Sequence, residues 1–227
     1  MGGSACRTND AQAPVAEAPA ATVKAAPVDE PAPVPVEAEP VWPESLPGNW
    51  ATINDYEKVS DPAMNNMDGH WGNWSFRSGR CNMEQVDDDG SKRLRISFNL
   101  PMDNSKCGTF EYLKGQKGKP QPVDITDIQK VVFLMKSGDE NEYAVRFEFT
   151  ELDPYDAALQ GYVGTTRPFI AGKEWQRVEV ELDGLLHDMF DRKKGRHVGL
   201  MIDRKDQGDS AAGVVLVDNL TLVRKPQ

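Results

Sequence analysis

The stretch GVVLVDNLTLV, residues 213–223, decides how this chain folds. Val and Leu flank a single acid-amide pair, the composition of a strand covered on both faces. A carboxylate inside such a strand is costly unless something compensates it. Asp218 and Asn219 therefore need a reason to be there. One reading is local: they hydrogen-bond the backbone at a bulge or a turn.

Outward from this stretch the same short β-type pattern recurs. KRLRISFNL (92–100) sets Leu94, Ile96 and Phe98 against Arg93, Arg95 and Ser97. KVVFLM (130–135) is a continuous apolar run suited to a central strand. EYAVRFEFT (142–150) alternates Tyr143, Val145, Phe147 and Phe149 with Ala144, Arg146 and Glu148. WQRVEVEL (175–182) alternates Gln176, Val178, Val180 and Leu182 with Trp175, Arg177, Glu179 and Glu181, and RHVGLMID (196–203) comes next. Turn-forming clusters separate these runs: DDDGS (87–91), KSGDEN (136–141), AGKE (171–174) and KDQGDS (205–210). The one helical candidate of any length is LDGLLHDMFDR (182–192). Many short strands with almost no helix predict an all-β sandwich or jelly roll.

The N-terminal region has a different character. Nine of the chain's 16 prolines fall between residues 7 and 47, among Ala, Val and Glu. Proline fixes φ and removes a donor, so neither helix nor ladder propagates. This predicts a disordered, extended stalk over 1–47 and a globular domain over 48–227.

Acids outnumber bases 36 to 26, a formal charge of −10. That balance disfavours nucleic acid and anionic membrane surfaces, which need a basic footprint. No stretch nears the roughly 20 apolar residues of a membrane helix. The chain has three cysteines. Cys6 follows Gly3, Ser4 and Ala5, which resembles the end of a bacterial lipoprotein signal, with Gly3 where an aliphatic residue is usual. The resemblance implies lipidation at Cys6 and a stalk that holds the domain off an anchoring surface in the cell envelope; a linker to another domain is the other reading. Cys81 and Cys107 flank one strand-like segment and form either a disulfide, as in exported proteins, or two buried thiols.

Six motifs occur in order: INDYEKV (53–59), GHWGNWSF (69–76), KCGTFEYL (106–113), PVDITDIQKVVFLMK (122–136), PFIAGKEWQRVEVELDGL (168–185) and VLVDNLTLV (215–223). Together they resemble the galactose-binding-like jelly rolls, above all the family-11 carbohydrate-binding modules, over about residues 50–225. The resemblance implies that the last-strand acid faces the first strand near a structural calcium. Asp218, with Asp55 and Glu57, is then the candidate cation site, since a hard cation takes several oxygen ligands. The bulge reading of Asp218 and Asn219 stands beside it.

Three histidines lack metalloprotease spacing, and no nucleophile elbow, phosphate loop or dinucleotide fingerprint is present. No carboxylate pair stands out for glycoside hydrolysis. The expectation is a non-enzymatic protein. Sugar binding needs rings to stack on a pyranose and planar polar groups for its hydroxyls. The resemblance implies that such groups lie on the concave sheet or the edge loops. Arg146 and Glu148 occupy the outward phase of their strand. Tyr112, Tyr155, Gln160, Tyr162 and Arg167 lie in or near irregular segments, four of them in the long connection 151–169. Trp71 and Trp74, three apart, cannot share a strand face, and Trp74 is taken as the exposed one; Trp175 is assigned to the core. The expected function is a monomeric, exported, surface-anchored module that binds a polysaccharide or cell-wall glycan. The alternative is a protein-interaction or assembly scaffold of the same fold.

Overall fold

The computed structural model describes residues 50–57, 64–153 and 160–226, with the backbone alone at Trp50 and Gln160. Every described residue belongs to one unit of the chain. The expected stalk over 1–47, with Cys6, lies outside the described residues.

Fourteen strands are described: β1 (Trp50–Asn54), β2 (Trp71–Phe76), β3 (Arg80–Asp88), β4 (Ser91–Asn99), β5 (Lys106–Tyr112), β6 (Gly115–Gln116), β7 (Lys119–Pro120), β8 (Ile128–Ser137), β9 (Tyr143–Leu152), β10 (Gln160–Thr165), β11 (Phe169–Ala171), β12 (Gln176–Glu181), β13 (Gly195–Asp203) and β14 (Ala212–Arg224). They build two antiparallel six-stranded sheets. One runs β12-β8-β14-β4-β3, with β1 also on β14; the other runs β10-β9-β13-β5-β2, with β11 also on β9. The two pack face to face as a β-sandwich jelly roll. The inward phases predicted from alternation meet in the core: Leu94, Ile96 and Phe98 from β4, Val145, Phe147 and Phe149 from β9, and Val178 and Val180 from β12. Phe133 stacks on Phe147 across the two sheets at 6.0 Å.

The Asp-Asn pair is a β-bulge. Register against β8 slips by one residue between Asp218 and Thr221, and Asn219 has φ 52°. Asparagine tolerates this left-handed conformation far better than a β-branched residue would. The extra residue resets the alternation, so Val215 and Val217 before it and Leu220 and Leu222 after it all enter the core. It also marks a change of neighbour: β4 pairs as far as Val217, and β1 takes the same edge from Leu220 onward. Asp218 is buried, accepts from the Asn219 N–H at 2.7 Å and forms an ion pair with Arg93 of β4.

Several expectations are corrected. The 182–192 candidate, short enough to be only a turn or two, forms a single helical turn, Leu182–Leu185, with Leu182 buried and Leu185 and Leu186 packed against the core. Among its described residues the long 151–169 connection holds the end of β9, all of β10 and the start of β11. The opening strand ends at Asn54, where Tyr56 adopts φ 55°. Trp175 is half-buried outside the core, on the other face of its sheet, with the Arg93 guanidinium 5.1 Å and the Lys136 ammonium 4.8 Å from its ring. Its own alternation already grouped it with Arg177 and Glu179. Cys81 and Cys107 form a disulfide, with Cα atoms 5.6 Å apart, that joins β3 of one sheet to β5 of the other.

Candidate functional site

The face of the β10-β9-β13-β5-β2 sheet turned away from the core carries the site. Ladder register lays its side chains in rows. Thr150, His197 and Tyr112 share one row. Glu148 and Gly199 lead the next, which continues through Phe110 and Gly72. Arg146, Met201, Gly108 and Trp74 form the third.

Glycine makes room for the rings. A Cβ on Gly108 would lie 2.8 Å from two atoms of the Trp74 ring, and one on Gly72 would lie 2.9 Å from Phe110 Cζ. Each ring thus lies over the bare backbone of the neighbouring strand. The Phe110 and Tyr112 centroids are 5.1 Å apart, and His197 stands 6.2 Å and 6.1 Å from them. His70 closes the group at 6.0 Å from Phe110.

A second bulge aims the polar partners. Register between β13 and β9 slips between Gly195 and His197, adding Arg196. Two consecutive side chains, Arg196 and His197, consequently line the same cavity, where strict alternation would send one into the core. The Arg196 guanidinium lies 5.7 Å from the Tyr112 centroid. With Trp74, Phe110, Tyr112 and Glu148 they enclose about 320 Å³.

Burial raises the Glu148 carboxyl above its ordinary pKa, opposed by a bond from the Thr165 hydroxyl and by the charges of Lys106 and Arg146. Burial, and then the neighbouring Arg196 charge, depress His197 to about 3. Its ring is therefore neutral at physiological pH. His197 Nδ1 is buried with no hydrogen-bond partner among the described residues, so a proton there would be an unpaired donor beside a cation. The imidazole acts as one more flat, uncharged ring.

Of the residues expected from sequence, Trp74, Tyr112 and Glu148 meet here. Arg146 shares the row of Trp74 but stands at its other end, on β9, and its guanidinium is engaged by Asp206 at 2.6 and 2.8 Å and by the Thr166 carbonyl at 3.0 Å. Tyr162 is not on this face. Register slips between Gln160 and Val163, so Val163 takes the place beside Thr150, and Tyr162 instead stacks on His187 at 5.8 Å. Arg167 lines a separate cavity with Thr165, Glu179 and Glu181. Tyr155 and the Gln160 side chain lie outside the described residues. Phe110, Arg196 and His197 were missed. Phe110 was readable as the same-face neighbour of Tyr112 two residues on; Arg196 depends on a bulge with no local signature.

The expected cation ligands do not converge. Asp55 accepts from the Glu57 N–H and from Asn66, Glu57 accepts from the Lys92 N–H, and Asp218 is taken by Arg93. Among the described residues no group of three or more His, Cys, Asp or Glu side chains is placed to hold a metal ion. Asp218 already has a guanidinium partner in Arg93.

No protein-family model matches the chain, and no curated protein matches it. Solved structures do. A family 11 carbohydrate-binding module from Clostridium thermocellum, in complex with a beta-1,3-1,4-mixed-linked tetrasaccharide, superposes with a TM-score of 0.61 at 17% identity, covering 79% of this chain and 98% of that one. The family 11 module of the cellulosomal cellulase Lic26A-Cel5E of the same organism gives 0.60 at 18% identity, covering 79% and 96%. The family 30 module of the cellulosomal cellulase Cel9D-Cel44B gives 0.55 at 13% identity, covering 78% and 99%. The likeness is one of fold: the class is the jelly roll of these modules.

Proposed function

We propose that this chain is a non-catalytic carbohydrate-binding module that takes a polysaccharide across the outer face of β2, β5, β13 and β9. The observation that carries the reading is the ring platform, with Trp74 and Phe110 lying over Gly108 and Gly72. Flat rings seated on bare backbone suit the apolar face of a pyranose, while Glu148 and Arg196 supply planar groups for hydroxyls. Glu148 is the single carboxylate among the described lining residues. Glycoside hydrolysis calls for two, which supports a binding role. Structures of the same fold are carbohydrate-binding modules, one holding a mixed-linked tetrasaccharide.

The Cys81–Cys107 disulfide supports an exported protein, since such bonds persist in oxidising compartments. Lipidation of Cys6 and a spacer role for the proline-rich region complete the reading as a monomer held at the cell envelope. Metabolic labelling with a fatty acid, lost in Cys6→Ser, tests the anchor.

The binding test is affinity electrophoresis of the full chain against a panel of soluble polysaccharides, with and without calcium. Trp74→Ala is expected to reduce binding by up to roughly tenfold, the scale of one lost stacking contact, with an unchanged circular dichroism spectrum. Binding that survives Trp74→Ala and Phe110→Ala together would rule out the platform as the binding surface. Retention on no glycan would turn attention to the assembly-scaffold reading.

A further inference from the structure

Beyond Tyr112 the platform runs into a basic end. Two stretches, KGQKGK (114–119) and RKKGR (192–196), hold seven of the chain's 26 cations: Lys114, Lys117, Lys119, Arg192, Lys193, Lys194 and Arg196. The fold brings them together. Leu113 N–H donates to the Arg196 carbonyl at 2.9 Å, Val123 and Gly195 exchange both backbone bonds, and Ile125 N–H donates to the Arg192 carbonyl at 2.8 Å. Strands β6 and β7 make the first stretch a tight hairpin, with Gly115 at φ 100° and Gly118 at φ 71°. It is a shaped element carrying lysines.

These charges are largely uncommitted. Lys114, Lys117, Lys119 and Lys193 make no ion pair among the described residues, whereas Arg192 pairs with Asp183 and Lys194 with Asp191. Of the carboxylates at this end, Asp183 and Asp191 take Arg192 and Lys194, Glu151 is buried beside Gly195, Asp124 and Asp191 both feel Lys193, and Asp68 lines a groove with Lys114 and Lys119. In a chain of formal charge −10, exposed lysines without an ion-pair partner next to a binding face make a local basic patch open to an anionic ligand.

The groove adjoins the platform. Lys114 follows Tyr112 by two residues, and from Phe110 to Lys114 the chain advances at most about 13 Å. The groove encloses about 290 Å³, with the amides of Gln116 and Gln121 beside Lys114 and Lys119. Rings, then amides, then ammonium groups form a sequence suited to a sugar chain bearing acidic substituents.

The geometry points to an acidic polysaccharide, a chain of sugars bearing carboxylate or sulfate, as the ligand of this face: its rings stack on Trp74 and Phe110 and its anions meet Lys114, Lys119 and Lys193. The inference rests on the carbohydrate-binding reading and narrows it to a charge class. Nucleic acid and anionic lipid share the anionic chemistry, and single strands also stack on aromatic rings, but both call for a broader basic footprint than a chain of formal charge −10 presents.

The test measures binding of the full chain to polygalacturonate, to sulfated dextran, and to neutral β-glucan and dextran of matched length, by affinity electrophoresis and calorimetry. Single-stranded DNA and vesicles with anionic lipid serve as controls. An acidic glycan should bind roughly tenfold more tightly than a neutral one, the product of a few individually weak surface ion pairs, and the gap should close in about 0.5 M salt. The exposed double variant Lys114→Glu/Lys119→Glu should lose the preference and keep whatever neutral binding exists; Trp74→Ala should weaken both. Equal affinity for acidic and neutral chains overturns the charge inference and leaves the carbohydrate reading intact. Acidic binding indifferent to Trp74→Ala, or tighter binding to DNA or vesicles, also overturns it. Binding to no glycan removes the underlying reading instead.

Discussion

Glu111 shows at the residue scale how a buried acid is held and what it costs. It points into the core from β5 and accepts from Tyr56 at 2.5 Å and from Asn54 at 3.1 Å, tying the first strand's end to the opposite sheet. None of these partners is a cation. Burial, against those hydrogen bonds, pushes its carboxyl up to about 7. Folded Glu111 thus holds its proton more tightly than unfolded Glu111. Its contribution is fully present below about pH 4.5 and is lost as pH rises through about 7, at most roughly 3 kcal/mol. His197, depressed to about 3, has the opposite sign, losing stability as pH falls below its unfolded value of about 6.5. The two oppose each other between about pH 4.5 and 6.5, and above that window Glu111 acts without this opposition. The melting temperature should fall between about pH 6.5 and 8 in the native chain and stay nearly level in Glu111→Gln. An equal slope in both would show that Glu111 is not the group responsible.

At the element scale the bulges do the positioning. In β14 one extra residue with left-handed φ keeps Leu220 and Leu222 in phase with the core and hands the strand's edge from β4 to β1. Arg93 sits at that junction with its side chain 11% exposed, against 2% for Asp218. Removing the guanidinium leaves a buried carboxylate without its partner. Arg93→Met should cost about 3 kcal/mol in urea unfolding, and adding Asp218→Asn should recover much of it. A near-zero cost would mean that the Asn219 contacts alone satisfy Asp218. The bulge in β13 works in the same way on the other sheet, turning Arg196 toward Tyr112. Bulges are where pattern reading stops. Alternation located β13 and β14 from their Val, Leu and Ile residues, but one inserted residue reverses the facing of every later residue in the strand; in β14 the Asp218-Asn219 pair marks the place, whereas in β13 nothing in the composition does.

For the whole molecule, the two sheets are joined by apolar packing and by one covalent bond. Cys81–Cys107 closes a loop with a sequence separation of 26 between β3 and β5, and Cys107 precedes the Gly108 on which Trp74 lies. Replacing both cysteines by alanine should cost about 3–4 kcal/mol, by the loop-entropy relation, measured by thermal or denaturant unfolding against the oxidised native chain. Weakened glycan binding in that variant below its melting point would further show that the bond holds the platform's spacing. Loss of stability without loss of affinity would confine it to the scaffold.

The sequence by itself determined the strand content, the inward phases of β4, β9 and β12, the turns between strands and the absence of catalytic motifs, because these depend on periodicities of two and on local backbone preference. It also marked Trp74, Tyr112 and Glu148, whose facing comes from simple alternation. Only the tertiary structure decided that Phe110 and His197 stand beside them, that Arg146 is held by Asp206, that Tyr162 looks elsewhere and that Arg93 meets Asp218. Those facts depend on which strands become neighbours and in what register. Register is a sum of many weak choices across the sheet, and a slip of one residue reverses the face each side chain presents.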